Sequence, residues 1–388
     1  MRIALFGASM THWGRLTPAC LFEDVPSPAG SELSMLGIAL ALAKRGHEVK
    51  VFCDCEPGLY DGVEYYRPEM TLAILTAQEF DVLVSWQDAG VFMYPVKAKL
   101  KVLMSQSAHL GLGVAQDRVD RYFSISRFSA KTLLDSDPYA DPSKMWVTRN
   151  GVFLDRYRGF VHEHNPKQLV WASSPDRGLH HLVDIFQLVR KEVPDATLTV
   201  CYNFDKAYND YHKAFPGSAF VRHLEKAAQL KGMDGVEMVQ HLSQPKLATL
   251  FSSAGVLAYP CDPLRATETY CTTVTDAMAA GLPVLISDAD CLPENYGTAA
   301  LVLPRPIDHE VWAKEIVRLM TSPEAYAAMQ AKSLRLASVT DVRFIAKEWE
   351  QFFLEFLDGH ETTSDRSLAA AWHRGEGSVY TEDENEDN

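Results

Sequence analysis

Short apolar runs alternate with longer amphipathic stretches along most of this chain. The run from Arg2 to Gly7 and the run from Phe80 to Trp86 are typical of strands buried on both faces, whereas apolar residues recur at helical spacing from Gly30 to Ala43. A second set of such strands and helices extends from Gln168 to Ser287. Strands that alternate with helices form parallel sheets, so the pattern predicts an α/β protein with two Rossmann-like domains that face each other across a central cleft.

Changes in this pattern predict the domain boundaries. An Arg-Asn-Gly sequence ending at Gly151 closes the first set, so residues 1–155 are assigned to an N-terminal domain and residues 156–338 to a C-terminal domain. Residues 339–359 are rich in aromatic side chains at helical spacing, which predicts a helix that packs against a domain. Residues 360–388 are polar and acidic, which predicts a disordered tail.

The stretch from Val256 to Asp290 predicts a strand, a polar loop, a helix from about Thr272 to Ala280 that Gly281 ends, and a second strand. Glu268 lies in the loop and Asp276 in the helix, eight positions later. The first amides of a helix attract anions, so a phosphate on the amides of Tyr270 to Thr272, with two acids that accept hydrogen bonds from hydroxyls, would suit a sugar nucleotide. The same spacing also fits a capped amphipathic helix with Asp276 on its solvated face, and the residues alone leave both interpretations open.

Composition and charge narrow the classes of function. With 388 residues the chain is long enough for two domains, and no apolar run reaches the roughly 18 residues of a membrane-spanning helix. Its seven cysteines are scattered and odd in number, unlike a disulfide framework, which predicts a reducing compartment and a cytoplasmic protein. A formal net charge of −14 argues against broad nucleic-acid binding through phosphate neutralisation. After Gly7 the next glycine is Gly14, so the dinucleotide motif GxGxxG is absent from this loop.

Four motifs of this chain occur in the order found in one enzyme family. They are PAGSELSMLGIALALAKRGHEVKVF, SISRFSAKTLL with VTRNGVFLDRY, SSPDRGLHHL, and ETYCTTVTDAMAAGLPV. The last contains the acid-x7-acid signature and is the most specific. By these motifs the chain resembles the family-4 retaining glycosyltransferases of GT-B architecture as far as about residue 357. The resemblance implies an N-terminal domain on the acceptor side, a C-terminal domain on the donor side, and C-terminal helices that pack back across the domains, with residues 339–359 returning towards the N-terminal domain.

The resemblance also implies a role for each candidate residue. His109 would reach the reacting edge of the donor sugar, Arg177 would neutralise the leaving phosphate, and Glu268 would bind the hydroxyls of the donor sugar. Gly30 would belong to the glycine-rich loop that approaches the donor from the first domain, and Asp276 would accept hydrogen bonds from the ribose. The other donor-binding candidates lie between the two acids: Thr269, Tyr270, Cys271 and Thr272.

Three departures from the family pattern affect these expectations. The second acid is usually Glu, so Asp276 is one methylene shorter. The Gly-Phe-Gly that often follows the first acid is here Thr-Tyr-Cys, from Thr269 to Cys271, which is expected to narrow the space beside the sugar. Ala172 stands where an Arg is usual, so Arg177 lacks the second cation of the family pattern. Arg265 is a candidate to assist Arg177 in its place.

The function implied by the resemblance is retaining transfer of a hexosyl or pentosyl group from a nucleoside-diphosphate sugar to a hydroxyl acceptor. The sugar nucleotide would be the co-substrate, with no cofactor and no metal; the neighbouring His180 and His181 are expected to be structural or solvent-facing. The acceptor stays open among a small molecule, a glycan, a lipid, a protein and a modified nucleic-acid base. A GT-B-like sugar-nucleotide epimerase would need acid and base groups on both faces of the sugar, and a non-catalytic carbohydrate-binding relative would have lost the donor residues, whereas Glu268 and Arg177 are present.

Overall fold

The computed structural model describes residues 1–7, 16, 18–107, 117–137, 140–157 and 164–360. The predicted site residue His109 and, beyond residue 360, the predicted acidic tail lie outside these described residues. The chain forms two compact units. Unit 1 comprises Met1–Pro18, Pro28–Gly151 and Val339–Asn388, and unit 2 comprises Ala19–Ser27 and Val152–Ser338.

The predicted domain boundaries differ from this division at two places, since residues 19–27 and residues 152–155 belong to unit 2. The first of these segments is held by side chains of unit 2. Ser243 Oγ donates a hydrogen bond to Asp24 Oδ1 over 2.7 Å, and Gln244 Nε2 donates to Ser27 Oγ over 2.8 Å. Such long-range polar contacts leave no trace in the local hydrophobic pattern from which the boundary was predicted.

Unit 1 contains an eight-stranded sheet in its described residues, with the order β3-β4-β2-β1-β5-β6-β7-β8. All neighbouring strands are parallel except the β3–β4 pair. The strands are β1 (Arg2–Gly7), β2 (Glu48–Cys53), β3 (Gly58–Tyr60), β4 (Val63–Tyr66), β5 (Phe80–Trp86), β6 (Ala98–Ser105), β7 (Arg121–Ser124) and β8 (Met145–Val147). The helices are α1 (Gly30–Lys44), α2 (Thr71–Ala77), α3 (Arg127–Ser136) and, from the end of the chain, α12 (Val342–Leu357).

Helix α12 is part of unit 1 because its apolar face and its buried polar groups both pack there. Phe352 lies edge-on to Phe123 of β7, with ring centroids 4.9 Å apart. Glu348 forms an ion pair with Arg149 over 2.8 Å, and both side chains are buried. Trp349 donates a hydrogen bond to the hydroxyl of Thr148 over 2.9 Å. The aromatic residues of this helix therefore contribute to a domain core, as their helical spacing predicted.

Unit 2 contains a six-stranded sheet in its described residues, with the order β11-β10-β9-β12-β13-β14, and every neighbouring pair is parallel. The strands are β9 (Gln168–Trp171), β10 (Thr197–Cys201), β11 (Val236–Val239), β12 (Val256–Tyr259), β13 (Val284–Ser287) and β14 (Leu301–Leu303). The helices are α4 (His181–Glu192), α5 (Phe204–Ala214), α6 (Ala219–Ala227), α7 (Gln244–Ser253), α8 (Thr272–Ala279), α9 (Leu292–Tyr296), α10 (His309–Thr321) and α11 (Pro323–Ser338).

The central strands β9 and β12 of unit 2 are neighbours in space although 84 residues separate their ends in sequence, from Trp171 to Val256. The order in which consecutive strands are added to the sheet therefore reverses at this point. In open α/β sheets, ligands bind beyond the carboxyl ends of the strands at such a position. The loops that follow β9 and β12 carry Arg177 and Glu268. Among the described residues, none of the helices is both long enough and apolar enough to span a membrane.

Candidate functional site

Glu268 lies in the loop between β12 and α8, and its carboxylate is buried with only 7% of the residue exposed. The hydroxyl of Tyr259, the last residue of β12, donates a hydrogen bond to Glu268 Oε1 over 2.9 Å. Arg177 Nε lies 3.0 Å from the same oxygen. Asp290 Oδ2 accepts hydrogen bonds from the backbone N–H groups of Thr267 and Glu268, over 2.8 and 2.9 Å. The carboxylate is thus oriented by its own contacts, and the loop that carries it is fixed to the segment after β13.

Arg177 ends a short 3-10 turn, Pro175–Arg177, that follows β9. The next residue, Gly178, has φ of +119°, and a Cβ at this position would lie 2.1 Å from the carbonyl oxygen of Pro260. Asp262 N donates to Arg177 O over 3.1 Å, so the turn lies directly on the loop after β12. Glycine is required here both by the positive φ and by the close approach of the two backbones.

The carboxylates next to Arg177 keep its guanidinium protonated. Burial acts to lower the pKa of the guanidinium, but Glu268 and Asp176 act in the opposite direction, and the pKa is raised overall. Asp176 Oδ2 lies 3.6 Å from Arg177 Nη1, and its side chain is as buried as that of Glu268. One partly buried cation thus stands between two buried carboxylates.

The N-terminus of α8 is shaped by an unusual backbone conformation. Cys271, the N-cap residue, has φ of +55°, in the left-handed region. The Tyr296 hydroxyl donates to the carbonyl oxygen of Cys271 over 2.8 Å and so holds this turn. Thr273 Oγ1 donates to Ala172 O over 2.8 Å, which fixes the first turn of α8 to the end of β9. The amides of Thr272 and Thr273 have no acceptor within the helix, which is the arrangement that binds phosphate oxygens.

The side chains between the two acids point largely into the protein. Thr269, Tyr270 and Cys271 are all buried, and Thr272 is half-buried. Burial, followed by the negative charge of Glu268, raises the pKa of the Cys271 thiol well above its ordinary value. Cys271 is therefore a neutral packing residue.

Asp276 already has a protein partner. The hydroxyl of Tyr157 donates to Asp276 Oδ1 over 2.9 Å. Burial raises the pKa of this carboxyl, and the opposing influences of Arg156 and Tyr157 only partly offset it. Arg156 itself is fixed by hydrogen bonds to Leu21 O, over 3.1 Å, and to Gln244 Oε1, over 2.8 Å. Asp276 is thus one end of a polar network, and not the solvated helix residue of the simpler interpretation.

Each described candidate residue has a definite place in the fold. Arg177 and Glu268 are in contact, and the loop from Thr269 to Thr272 joins Glu268 to α8. Gly30 is the first residue of α1 in unit 1. Arg265, proposed as an assistant to Arg177, has its guanidinium 5.8 Å from the ring centre of Phe220.

Four residues of the site were missed by the sequence analysis. Tyr259 was hidden at the end of an apolar strand, although its position at the carboxyl end was a usable signal. Asp290 follows β13 at the same edge of the sheet and could have been found in the same way. Arg156 and Tyr157 gave no signal, because they meet Asp276 only through the folding of a distant segment.

Comparisons with known proteins bear on the C-terminal unit and on the fold. Residues 169–335 match the family model described as glycosyl transferases group 1. No curated protein sequence matches the chain significantly. Among solved structures, the chain is similar to a sucrose-phosphate synthase from Thermosynechococcus elongatus, with a TM-score of 0.66 and 15% identity over 92% of this chain and 99% of that chain. It is also similar to HepE of Anabaena in complex with UDP-glucose, with a TM-score of 0.64 and 17% identity over 92% of this chain and 100% of that chain.

A third similar structure is a glycosyltransferase from Rickettsia africae, with a TM-score of 0.67 and 12% identity over 92% of this chain and 99% of that chain. These likenesses confirm the predicted α/β fold with two parallel-sheet domains of the GT-B kind. Together with the family match, they confirm the predicted resemblance to glycosyltransferases at the level of domain and fold. The assignment to family 4, the retaining mechanism and the roles of single residues stay predictions.

Proposed function

We propose that this protein transfers a sugar from a nucleoside-diphosphate sugar to a hydroxyl acceptor. Residues 169–335 match the group 1 glycosyltransferase family model, and the chain has the GT-B fold. The observation that carries the proposal is the ion pair between the half-buried Arg177 and the buried Glu268, 3.0 Å apart, in the loops that follow β9 and β12. A cation for phosphate, an acid for hydroxyls and free helix amides are the groups that a sugar nucleotide requires.

Glu268 is proposed to bind the hydroxyls of the donor sugar. Tyr259 and Arg177 both engage its Oε1, so the plane of the carboxylate is set before the donor arrives. A pre-oriented acceptor loses little conformational entropy on binding, and its hydrogen bonds can strengthen as charge develops on the sugar ring. Asp276, held by Tyr157 at Oδ1, is proposed to use its remaining hydrogen-bonding capacity for the ribose.

The leaving diphosphate is proposed to lie against Arg177 and the first amides of α8. As the bond between the anomeric carbon and the phosphate oxygen breaks, negative charge develops on the diphosphate, and each fixed donor aimed at that charge can lower the barrier by a few kcal/mol. The guanidinium and the amides of Thr272 and Thr273 would supply this stabilisation. In this scheme no metal ion takes part in the transfer step.

Retention of configuration is proposed to arise by attack on the same face of the sugar. The acceptor oxygen forms its bond to the anomeric carbon on the side from which the diphosphate departs, and the acceptor proton passes to an oxygen of that diphosphate. The pair of carboxylates that flanks the bond in glycosidases is then unnecessary. The structure of the Anabaena neighbour with UDP-glucose makes a uridine-diphosphate hexose the first donor to examine.

We further infer that the protein works in a reducing compartment such as the cytoplasm. All seven cysteines are buried free thiols. Buried thiols without disulfide partners are typical of proteins from reducing compartments.

The test measures release of nucleoside diphosphate from a panel of uridine-, guanosine-, thymidine- and adenosine-diphosphate sugars, with and without candidate acceptors. Glu268→Gln keeps the shape of the side chain and is expected to lower the rate with the best donor by about a hundredfold or more. Glu237→Gln is the matched control, because Glu237 is an exposed glutamate on β11 of the same unit. Product stereochemistry, read by NMR of the anomeric proton, tests retention.

The proposal would be refuted if none of these sugar nucleotides bound, as judged by calorimetry, or if Glu268→Gln turned over the best donor at the same rate as Glu237→Gln. An inverted product would refute the same-face mechanism and leave the transferase assignment in place. Loss of activity in both variants would point to a defect outside the site, so the melting temperature of each variant must match that of the parent protein.

A further inference from the structure

Four histidines of unit 2 form a cluster beside the turn that carries Arg177. His180 and His181 stand at the start of α4, with ring centroids 4.0 Å apart. His223 of α6 stacks on His180 at 3.9 Å, and His309 of α10 lies next to His181. The carboxylate of Asp262, in the loop after β12, completes the group, with its Oδ2 3.2 Å from His181 Nε2. The scheme for sugar transfer uses none of these side chains.

We propose that His180, His181 and Asp262 bind a divalent transition-metal ion, with Zn²⁺ as the best match. One ligand atom from each of these residues lies within 4.8 Å of the other two. Two imidazole nitrogens and one carboxylate oxygen are a ligand set that Zn²⁺ accepts, and three protein ligands leave a fourth position for water. All three residues are half-buried, so an ion can reach them from solvent.

The surroundings of His181 are those expected of a metal ligand. With its Nε2 on the ion, the ring would carry its proton on Nδ1, which lies 2.9 Å from His309 Nε2. His309 Nδ1 lies in turn 3.5 Å from Asp184 Oδ2. A histidine ligand whose second nitrogen donates to a further group, itself paired with a carboxylate, is a recurring feature of metal sites because this chain fixes the orientation of the ring.

His180 offers a ring nitrogen that no other described group uses. Its Nδ1 is buried and has no hydrogen-bond partner among the described residues. A buried polar atom without a partner calls for an explanation, and a bound ion is one that fits an imidazole nitrogen.

The proposed ion would join the two loops that position Arg177. Asp262 N donates to Arg177 O over 3.1 Å, and His181 N donates to Gly178 O over 3.0 Å. A metal bridge between Asp262 and His181 would therefore close a ring around this turn. Its expected role is to stabilise the turn, without contact between the ion and Glu268 or Asp276.

The test uses the full chain purified without a histidine tag, freed of metal with a chelator, and titrated with Co²⁺ and then with Zn²⁺. One equivalent of Co²⁺ is expected to give visible d–d absorption without a thiolate-to-cobalt charge-transfer band, and Zn²⁺ is expected to displace it and to raise the melting temperature. Asp262→Asn and His181→Gln are expected to abolish the saturable binding. His309→Gln, which alters only the supporting chain, is expected to weaken it by roughly 10–100-fold.

His212→Gln is the matched control. The ring of His212 also lies between a backbone carbonyl and a carboxylate, those of Tyr208 and Glu225, but it stands on α5 outside the cluster. Binding in this variant should equal that of the parent protein. The proposal is overturned if the parent protein shows no one-equivalent binding, if Asp262→Asn binds as the control does, or if a thiolate band reveals cysteine ligation. If His181→Gln fails to fold, Asp262→Asn decides the matter, because the side chain of Asp262 is 38% exposed.

Discussion

Replacing Arg177 by Met should destabilise unit 2 whether or not a donor is present. The change removes the cation but keeps an unbranched side chain of similar length. Glu268 and Asp176 then remain as carboxylates whose side chains are only 8% and 7% exposed, without the guanidinium that lies 3.0 and 3.6 Å from them. Two buried carboxylates would be left without the cation that compensates them.

The expected loss of unfolding free energy is about 3 kcal/mol. Removing one partner of a buried ion pair costs roughly 3–5 kcal/mol, because the other charge is left buried and uncompensated. The lower end of this range applies here, because 23% of the Arg177 side chain is exposed to solvent, which weakens the interaction. For a domain of this size such a loss lowers the melting temperature by roughly 6–12 °C.

Urea unfolding of the free protein, followed by tryptophan fluorescence, measures this loss. Trp171 of β9 provides a probe within unit 2, because its ring stacks on Tyr259 at 4.9 Å between centroids. The double variant Arg177→Met/Glu268→Gln should recover much of the stability, because it removes the cation together with the carboxylate that it compensates. Arg335→Met, at an exposed position on α11, is the control. A loss in Arg177→Met no larger than in Arg335→Met, or no recovery in the double variant, would refute the reasoning.

Two further predictions concern single residues of each unit. In unit 1, Glu32 is 3% exposed, and burial raises the pKa of its carboxyl from 4.5 to about 7. Ionisation of this carboxyl is therefore less favourable in the folded state than in the unfolded state. The free energy of unfolding should fall as pH rises from about 4.5 through 7. Glu32→Gln should remove this decline and be more stable than the parent protein by about 3 kcal/mol at pH 8, but not at pH 4. Urea unfolding at both pH values measures the difference. Glu310→Gln, at an exposed position, is the control and should leave the free energy of unfolding unchanged at both. In unit 2, Gly178→Ala should cost at least about 2 kcal/mol, because its Cβ would meet the carbonyl oxygen of Pro260. Gly217→Ala, also at positive φ but with open space around the Cβ, bears only the backbone strain, and an equal loss in the two variants by thermal unfolding would contradict the role of the close approach.

The hydrophobic pattern predicts the two sheets well because buried parallel strands are local features of the sequence. The apolar runs at β12 and β13 are parallel neighbours in the sheet, with Leu257 opposite Val284. The helix predicted between them from about Thr272 to Ala280 is observed as Thr272–Ala279. A strand, a helix and a Gly-Leu-Pro stop each depend on residues a few positions apart, so one sequence suffices to find them.

The contacts that complete the site are not local, and no spacing rule predicts them. Tyr157 and Asp276 are 119 positions apart, and His181 and Asp262 are 81 positions apart. His181 and Asp262 meet because the connections that follow β9 and β12 begin at the same edge of one sheet, whereas Tyr157 belongs to the segment that precedes β9. The sequence identifies His181 only as a histidine after a turn. The features that make His181 resemble a metal ligand come from side chains of the loop after β12 and of α10.

The Thr-Tyr-Cys sequence after Glu268 illustrates how a departure from a family motif can be absorbed by the fold. The side chain of Tyr270 is buried, at 2% exposed, and packs near Tyr296 with ring centroids 6.0 Å apart. The expectation that these larger residues narrow the space beside the sugar stays a prediction. The backbone conformation suited to glycine nevertheless persists, since Cys271 has φ of +55° at a cost of roughly 1–2 kcal/mol. The hydroxyl of Tyr296, which donates to the carbonyl of Cys271, offsets part of this strain. The loop thus keeps the backbone shape that presents the first amides of α8, and Tyr296 is the residue on which that shape depends.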